Sequence, residues 1–306
     1  MDFSGILPAF MVEQKVKDWL DEDVPSFEFA GVVVENANDE AVLICKTQGL
    51  LSGIPFFDTL FSKLECHVKW NYKEGDNIEV MSRVATVIGP ARNILLGERV
   101  ALNILSRASG ISTQAKQVCD LATEFGWKGQ VAGTRKTTPG FRIVEKYALL
   151  VGGVAQHRNS LSSMVMLKDN HIWATGGDIT KAVRMARQSC GFSQRIEVEC
   201  RSYEEACEAA AAGSDIVMLD NFEPQTACEV AKKLKETFSH LLIEVSGGIT
   251  MQNVSAYFSD HIDILSMSKL TQGYPCLDFS LKIRREDRDP TNPQVNSTPS
   301  LNMTQN

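Results

Sequence analysis

The stretch RIEVECRSYEEACEAAAAGSDIVMLDN, residues 195–221, contains one complete strand–helix–strand unit. An apolar run ending at Cys200 is followed by Ser202 and Glu205, whose spacing is that of a capping box, and Gly213 is placed to end the helix. A second apolar run, DIVML, follows at once. Strands joined by helices are typical of a parallel sheet, so this unit predicts an α/β fold.

The same alternation extends on both sides of this unit. Asp178 is placed as a helix N-cap, Pro224 lies near the first turn of a helix, and Thr250 is placed to cap the last one. No GxGxxG follows the first strand, which counts against a dinucleotide-binding sheet. The pattern favours an open (β/α) barrel of about six or seven parallel strands. The predicted strands are GQVAGT (129–134), SMVML (163–167), RIEVEC (195–200), DIVML (215–219), LLIEV (241–245) and IDILSM (262–267), with a seventh candidate from Leu149 to Val154.

The region before this alternation has a different pattern. Between Phe27 and Gly89, β-branched runs are separated by turn residues, and no long helical pattern intervenes, so an antiparallel sheet is expected. Its predicted strands are FAGVVVE (29–35), EAVLICKTQ (40–48), LECHVKWNY (64–72) and NIEVMSRVATVIG (77–89). Helical periodicity predicts helices over 8–20, 96–109 and 112–125.

Composition excludes several classes of protein. The formal net charge of −7 over 306 residues argues against nucleic acid as a partner. No apolar run approaches the roughly 20 residues of a membrane-spanning helix, and the first residues lack the pattern of a secretory signal. The eight cysteines include no CxxC, so we expect reduced thiols and a cytoplasmic protein. Residues 284–306 are polar and are predicted to be a disordered tail.

Charged or small residues follow each predicted barrel strand. In a (β/α) barrel the carboxyl ends of the strands open onto one face, where binding and catalytic groups collect. The sequence therefore predicts one mouth that holds several cations, two carboxylates and a small-residue loop. The residues are Arg135, Lys136, Lys168, Glu199, Asp220, Ser246, Gly247, Gly248 and Ser268.

These residues indicate a class of ligand without identifying a reaction. Adjacent cations within GTRKTTPG (133–140) suit a rigid anion site better than an ordinary surface loop. SGGIT (246–250) precedes a predicted helix, whose N-terminus can bind phosphate. Glu199 and Asp220 suit Mg²⁺ held with substrate phosphates. His157 is equally consistent with a structural role, and His171 is interpreted as structural.

Taken together, the motifs GTRKTTPG, QHR, VMLKDNH, EVEC, MLDNF and EVSGGIT, in this order, resemble the quinolinate phosphoribosyltransferases. The resemblance extends to about residue 283. It implies an N-terminal mixed α/β sandwich (1–113), an open barrel (114–274), and a return segment to the N-terminal domain (275–283), followed by the tail. It also implies homodimers, or hexamers built from dimers, with active sites shared between subunits.

The resemblance assigns roles as well. Quinolinate would be bound by Arg135, Lys136, Thr137, His157, Arg158 and Lys168, together with Arg99 from the neighbouring subunit, although Arg99 by itself reads as a solvated charge. Ser246, Gly247, Gly248 and Ser268 would bind the 5′-phosphate of phosphoribosyl pyrophosphate. Lys136, Lys168, Glu199 and Asp220 would be catalytic, and Glu199 and Asp220 would face Mg²⁺ indirectly. No organic cofactor is implied.

The chain departs from the family pattern at Ser268, where a glycine is usual. Other interpretations remain open at this point. They are a phosphoribosyltransferase of nicotinate, a barrel lyase or aldolase with Lys168 as a Schiff base, and a catalytically silent protein that binds quinolinate.

Overall fold

The computed structural model describes residues 3–34 and 37–285. The helices are α1 (Ala9–Asp23), α2 (Ile54–Lys63), α3 (Ala91–Glu124), α4 (Arg142–Val151), α5 (Asp169–Ala174), α6 (Ile179–Cys190), α7 (Tyr203–Ala211) and α8 (Pro224–Thr237). The strands are β1 (Asn38–Cys45), β2 (Gly49–Leu50), β3 (His67–Trp70), β4 (Asn77–Ile78), β5 (Ser82–Pro90), β6 (Gln130–Ala132), β7 (Val165–Leu167), β8 (Ile196–Cys200), β9 (Ile216–Asp220), β10 (Leu242–Ser246), β11 (Ile264–Ser266) and β12 (Phe279–Ile283). Four 3-10 helices occupy Ser4–Ile6, Phe29–Val32, Val254–Tyr257 and Ser268–Leu270.

The chain divides into two compact units. The first comprises Met1–Gly110 and Cys276–Asn306, and the second comprises Ile111–Pro275. The boundary falls within α3, a single helix of 34 residues where the sequence predicted two helices. The prediction was wrong because it left Gly110 and Ile111 as a gap directly after Ser109. A helix tolerates such residues at about 1 kcal/mol or less each, and Ser109 is buried, with its hydroxyl bonded to the backbone of Ser52.

The first unit contains the expected antiparallel sheet. Its order is β12-β1-β5-β3, and the register between β1 and β5 shifts at Leu43 and Ile44, where Val84 of β5 has no partner in the ladder. The returning strand β12 pairs with β1, with Leu43 opposite Leu281. The buried face of α2 supplies four large apolar side chains to the core of this unit, namely Phe56, Phe57, Leu60 and Phe61.

Two local features of this unit contradict the sequence interpretation. The run FAGVVVE, predicted as a strand, begins with the 3-10 helix Phe29–Val32, in which the Glu28 carboxylate accepts a hydrogen bond from the amide of Ala30. Helix α2 was not predicted, because its first amides, those of Gly53 and Ile54, are capped by the carboxylate of Glu74. A cap that lies 20 residues away along the chain leaves no local signal.

The second unit contains a parallel sheet of six strands in the order β6-β11-β10-β9-β8-β7. The first of these strands, β6, lies beside the last, β11, as in a barrel and unlike a doubly wound sheet. Beyond β6 the only further pairing among the described residues is a parallel bridge between Ala132 and Ala155. The predicted α/β class, with an antiparallel N-terminal sheet and an open parallel barrel, is confirmed.

Helix capping in the second unit follows the sequence signals in most places. The side chains of Asp178 and Ser202 cap α6 and α7, and Pro224 begins α8. Two expectations were wrong. The candidate strand from Leu149 to Val154 begins inside α4, and only Ala155 beyond it pairs with the sheet. Thr250 begins a turn, closed by the Asn253 side chain, that leads to the 3-10 helix Val254–Tyr257.

Within the described ranges, no helix combines the length and apolarity needed to cross a membrane. Residues 286–306 of the predicted tail lie outside the described part of the chain. Arg284, its first residue, is described and is ordered, since its amide and guanidinium both bond to Glu40.

Candidate active site

A cavity of about 380 Å³ opens at the carboxyl ends of the barrel strands. Parallel strands end on the same edge of their sheet, so residues far apart in sequence meet here. All the lining residues belong to the second unit. They are Gly133, Thr134, Arg135, Lys136, His157, Arg158, Met166, Lys168, Glu199, Met218, Asp220, Asn221, Glu244, Ser246, Gly247, Gly248 and Ser266.

One side of the cavity holds cations without carboxylate partners. Among the described residues, Arg135, Lys136 and Arg158 form no ion pair within 4.0 Å. The Nε of Arg135 is buried and has no hydrogen-bond acceptor. Arg158 donates only at 3.4 Å to the carbonyl of Met164 and at 3.3 Å to the sulfur of Met166. A buried N–H without an acceptor is costly, so Nε of Arg135 and the half-buried Arg158 beside it are placed to receive an anionic ligand.

The opposite side holds Glu199 and Asp220, at the ends of β8 and β9. The ammonium of Lys168 donates to the Glu199 carboxylate and so connects the cationic and acidic sides. Burial and the neighbouring Glu199 charge raise the pKa of Asp220, opposed by Lys168 and Arg201. The amide of Asn221 donates to Asp220 at 2.6 Å. This edge therefore favours a developing positive charge.

A small-residue loop, Ser246–Gly248, follows β10. Gly247 has a φ of +97°, and a Cβ at this position would lie 2.3 Å from Oδ1 of Asn221, so only glycine fits. Ser246 binds Asn221 through its carbonyl and Ser266 through its hydroxyl, which fixes the loop. The loop leads into a turn instead of the predicted helix, so any anion here would be bound by loop amides without an α-helix dipole.

The floor of the cavity is a group of three side chains, of which His157 and Glu244 line the cavity and the buried Glu197 packs against them. Glu197 and Glu244 are fully buried, and Nε2 of His157 lies 3.0 Å from Glu244 and 3.6 Å from Glu197. Burial, followed by the Glu244 charge, raises the pKa of Glu197 well above its usual range. Both Glu197 oxygens and one Glu244 oxygen have no hydrogen-bond partner.

The spacing of this trio would allow a metal ion, since the ligand atoms lie within 4.8 Å of one another. The tautomer of His157 argues against it. Its Nδ1 accepts the Arg158 amide at 2.7 Å, so the ring proton is on Nε2, which points at Glu244. A metal at Nε2 would require the opposite tautomer. Glu199 and Asp220 suit Mg²⁺ better, because that ion takes one or two carboxylates together with substrate phosphates.

The sequence reasoning missed Glu197 and Glu244. Both lie inside apolar runs that were taken as strands. A carboxylate inside such a run is a signal, because a buried charge needs a partner or a function. Glu197 also lies two residues before Glu199, so that both side chains are on one face of β8.

The structure places most of the predicted site residues in one cavity. Ten of them line it: Arg135, Lys136, His157, Arg158, Lys168, Glu199, Asp220, Ser246, Gly247 and Gly248. Arg99 belongs to the first unit, in α3. Thr137 and Ser268 lie beside the cavity and are not part of its lining. Ser268 begins a 3-10 helix, and Thr271 at its end donates to the Lys136 carbonyl. His171 accepts the Lys168 amide, as a structural histidine does.

The mouth of the open barrel holds three cations, Arg135, Lys136 and Arg158, that form no ion pair among the described residues, and we call them the cationic well. It also holds an acidic edge and a glycine loop that suits a phosphate group. These features define an enzyme that joins two anionic substrates. Comparison with known proteins gives the family. The N-terminal domain model of quinolinate phosphoribosyl transferase matches residues 27–109, and the C-terminal domain model matches residues 111–282. The chain belongs to the quinolinate phosphoribosyltransferase family.

Individual relatives agree over most of the chain. It is 50% identical to a nicotinate-nucleotide pyrophosphorylase (carboxylating) of Dictyostelium discoideum, over 94% of this chain and 100% of that one. It is also 50% identical to the Homo sapiens protein of the same name, over 92% and 96%. Among solved structures, NadC from Streptococcus pyogenes superposes with a TM-score of 0.82 at 36% identity, covering 91% of this chain and 99% of that one.

Proposed function

We propose that the protein transfers phosphoribosyl from phosphoribosyl pyrophosphate to quinolinate and decarboxylates the product. The products are nicotinate mononucleotide, pyrophosphate and CO₂, a step of de novo NAD biosynthesis. The observation that carries this proposal is the cationic well of Arg135, Lys136 and Arg158, three cations that form no ion pair with any carboxylate in the described part of the chain. It suits a dicarboxylate better than a monocarboxylate such as nicotinate.

The well orients the acceptor. Guanidinium groups bind carboxylates through paired hydrogen bonds, which fix the plane of the ligand as well as its position. A quinolinate held in this way presents its ring nitrogen towards the donor. Positioning of this kind supplies a large part of the rate enhancement in a two-substrate reaction.

The donor is proposed to lie between the Ser246–Gly248 loop and the acidic edge. The loop amides would bind its 5′-phosphate, with Ser268 nearby. When bound with the donor, Mg²⁺ supplies neutralisation of charge on pyrophosphate, and Glu199 and Asp220 would hold it through water and substrate phosphates. These two carboxylates also stabilise positive charge at the ribosyl centre as it becomes oxocarbenium-like.

The reaction then proceeds in two balanced steps. The ring nitrogen lone pair forms the bond to the ribosyl carbon while the bond from that carbon to pyrophosphate breaks. The cationic ring next stabilises the electron pair left when the adjacent carboxylate departs as CO₂, and a proton from water completes the ring. Lys168 is bound to Glu199 and is placed to orient that carboxylate. This pairing disfavours a Schiff-base role, which needs a neutral amine.

Oligomer and location complete the proposal. We propose a homodimer, or a hexamer of dimers, in which Arg99 contributes to the neighbouring subunit's well, as in the family pattern. Mixing Arg99→Ala with Lys136→Ala protein should restore part of the activity, and no recovery would contradict a shared site. A cytoplasmic location is supported by eight cysteines that are all free thiols.

The direct test mixes the protein with Mg²⁺, phosphoribosyl pyrophosphate and quinolinate. We expect CO₂ and nicotinate mononucleotide in equal amounts. Activity with nicotinate but not quinolinate would favour a nicotinate phosphoribosyltransferase. Calorimetric binding of quinolinate without turnover would favour a silent binding protein. Either result refutes the proposal.

A further inference from the structure

Helix α4 presents three charged residues, Arg142, Glu145 and Lys146, at the spacing of one helical face. None of them lines the cavity. Glu145 is fully buried and Lys146 is 3% exposed. Charged side chains are almost never fully buried unless each has a partner. The partners of these three residues therefore show what the face does.

Each buried residue of this face binds a different loop of the active site. The Glu145 carboxylate accepts the amide of Thr138 at 3.0 Å and its hydroxyl at 2.8 Å. The Lys146 ammonium donates to the carbonyl of Gln156 and, at 3.3 Å, to that of Arg158. The first loop carries Arg135 and Lys136, and the second carries His157 and Arg158. The two loops therefore carry His157 and all the cationic lining of the cavity apart from Lys168.

Arg142 connects the two loops. Its Nε donates to the Thr137 hydroxyl at 2.9 Å, and one terminal nitrogen donates to the Asn159 carbonyl at 3.1 Å. Within the described part of the chain, Glu145 and Lys146 form no ion pair with each other. Two adjacent buried charges of opposite sign would normally be expected to form a structural ion pair, and these two do not. Each of them forms its hydrogen bonds with groups of one loop instead.

We infer that Arg142, Glu145 and Lys146 form a clamp that sets the spacing between the two cationic loops, and thereby the fit to a dicarboxylate. The three are positioning residues, since none touches the ligand site. The inference rests on the proposed function for the identity of the ligand, and on the structure alone for the clamp. The clamp is needed because His157 has a φ of +57°, a left-handed conformation that costs about 1 kcal/mol or more in a non-glycine residue.

The test separates the two halves of the clamp by hydrogen–deuterium exchange of the full-length protein. Glu145→Gln should raise exchange selectively over residues 134–139. Lys146→Met should raise it selectively over residues 156–160. The control is Lys116→Met, which removes a lysine paired with Asp120 on the surface of the same unit and should change neither segment. Equal effects on both loops, or no effect on either, would overturn the clamp.

Kinetics provide a second readout. Both variants should raise the KM for quinolinate about tenfold, the effect of weakening one hydrogen bond to a charged group, with less than a twofold change for phosphoribosyl pyrophosphate. Lys146→Arg retains the charge and should restore most of the loss. Equal rises for both substrates would contradict the inference. If a variant fails to fold, Glu145→Asp and Lys146→Gln replace it, and selective loop exchange is again required.

The two proposals fail in different ways. Hydrogen–deuterium exchange needs no substrate. If the wild-type protein did not turn over quinolinate, the proposed function would be refuted, and the exchange data would still decide whether the clamp exists. If the wild-type protein turned over quinolinate but exchange in both loops was unchanged in the Glu145 and Lys146 variants, only the clamp would be refuted.

Discussion

Replacing Arg158 with alanine tests the cationic well most directly. The guanidinium has no carboxylate within 4.0 Å among the described residues, and its two protein contacts are long, at 3.3 and 3.4 Å. Its loss therefore removes little that holds the fold. The substitution should mainly weaken binding of the ligand, because the ligand carboxylate loses a charge-assisted hydrogen-bond donor.

The magnitude follows from that contact. A hydrogen bond to a charged group contributes about 1.5–3 kcal/mol, which corresponds to a factor of about 10 to 150 in affinity. We expect the KM for quinolinate to rise by this factor in Arg158→Ala, with the KM for phosphoribosyl pyrophosphate changed less than threefold. Steady-state kinetics with each substrate varied in turn measures both.

The control is Arg184→Ala, which removes an exposed arginine from α6 of the same unit. It should leave both constants unchanged, and thermal unfolding should show similar midpoints for the two variants. An unchanged quinolinate KM in Arg158→Ala would refute the placement of the acceptor. Equal rises for both substrates would show that the residue acts on the whole pocket.

Three further predictions concern the other parts of the site. Asp220→Asn should lower kcat by about 100-fold or more with a modest change in quinolinate KM, because it removes charge that acts in the transition state; weaker quinolinate binding with unchanged kcat would contradict this. Gly247→Ala should raise the KM for phosphoribosyl pyrophosphate far more than Gly248→Ala, since a Cβ meets Asn221 at 2.3 Å in the first case and open space in the second; equal effects would show that the steric reasoning is wrong. Burial, followed by the positive charges of Arg142 and Arg135, lowers the pKa of Lys146 from 10.5 to about 8, and the negative charge of Glu145 acts in the opposite direction. The unfolded chain then binds more protons between about pH 8 and 10.5, so Lys146 makes stability rise with pH across that window; urea unfolding should show this rise in the wild type and a smaller one in Lys146→Met.

The sequence predicted the cavity well because one geometric rule connects strand ends to a common edge. Arg135, Lys168 and Asp220 each follow an apolar run, Glu199 lies near the end of one, and the parallel sheet brings all four together. The rule concerns chain order and strand direction only. It therefore does not depend on the details of side-chain packing.

What the sequence did not predict depends on contacts between distant residues. The clamp on α4 was missed because the partners of Glu145 and Lys146 lie in two loops that the sequence does not place beside this helix. The capping of α2 by Glu74 and the floor formed by Glu197 and Glu244 depend on partners in other elements. Local propensity contains no information about such partners.

The arrangement of charge explains how one cavity can bind an anion and also stabilise a cation. Guanidiniums without carboxylate partners occupy the side where the acceptor carboxylates are proposed to bind, and their charge is retained throughout the reaction. Glu199 and Asp220 occupy the other side, where the ribosyl centre is proposed to develop its positive charge. Lys168 lies at the border, where its ion pair with Glu199 offsets part of the negative charge of the acidic edge. Burial and the Glu244 charge raise the pKa of Glu197, which favours the uncharged form of that carboxyl beneath the well. The reaction turns a neutral ring nitrogen into a cation beside two fixed carboxylates. The separation of positive and negative charge within the cavity suits this reaction more than the total charge of the cavity does.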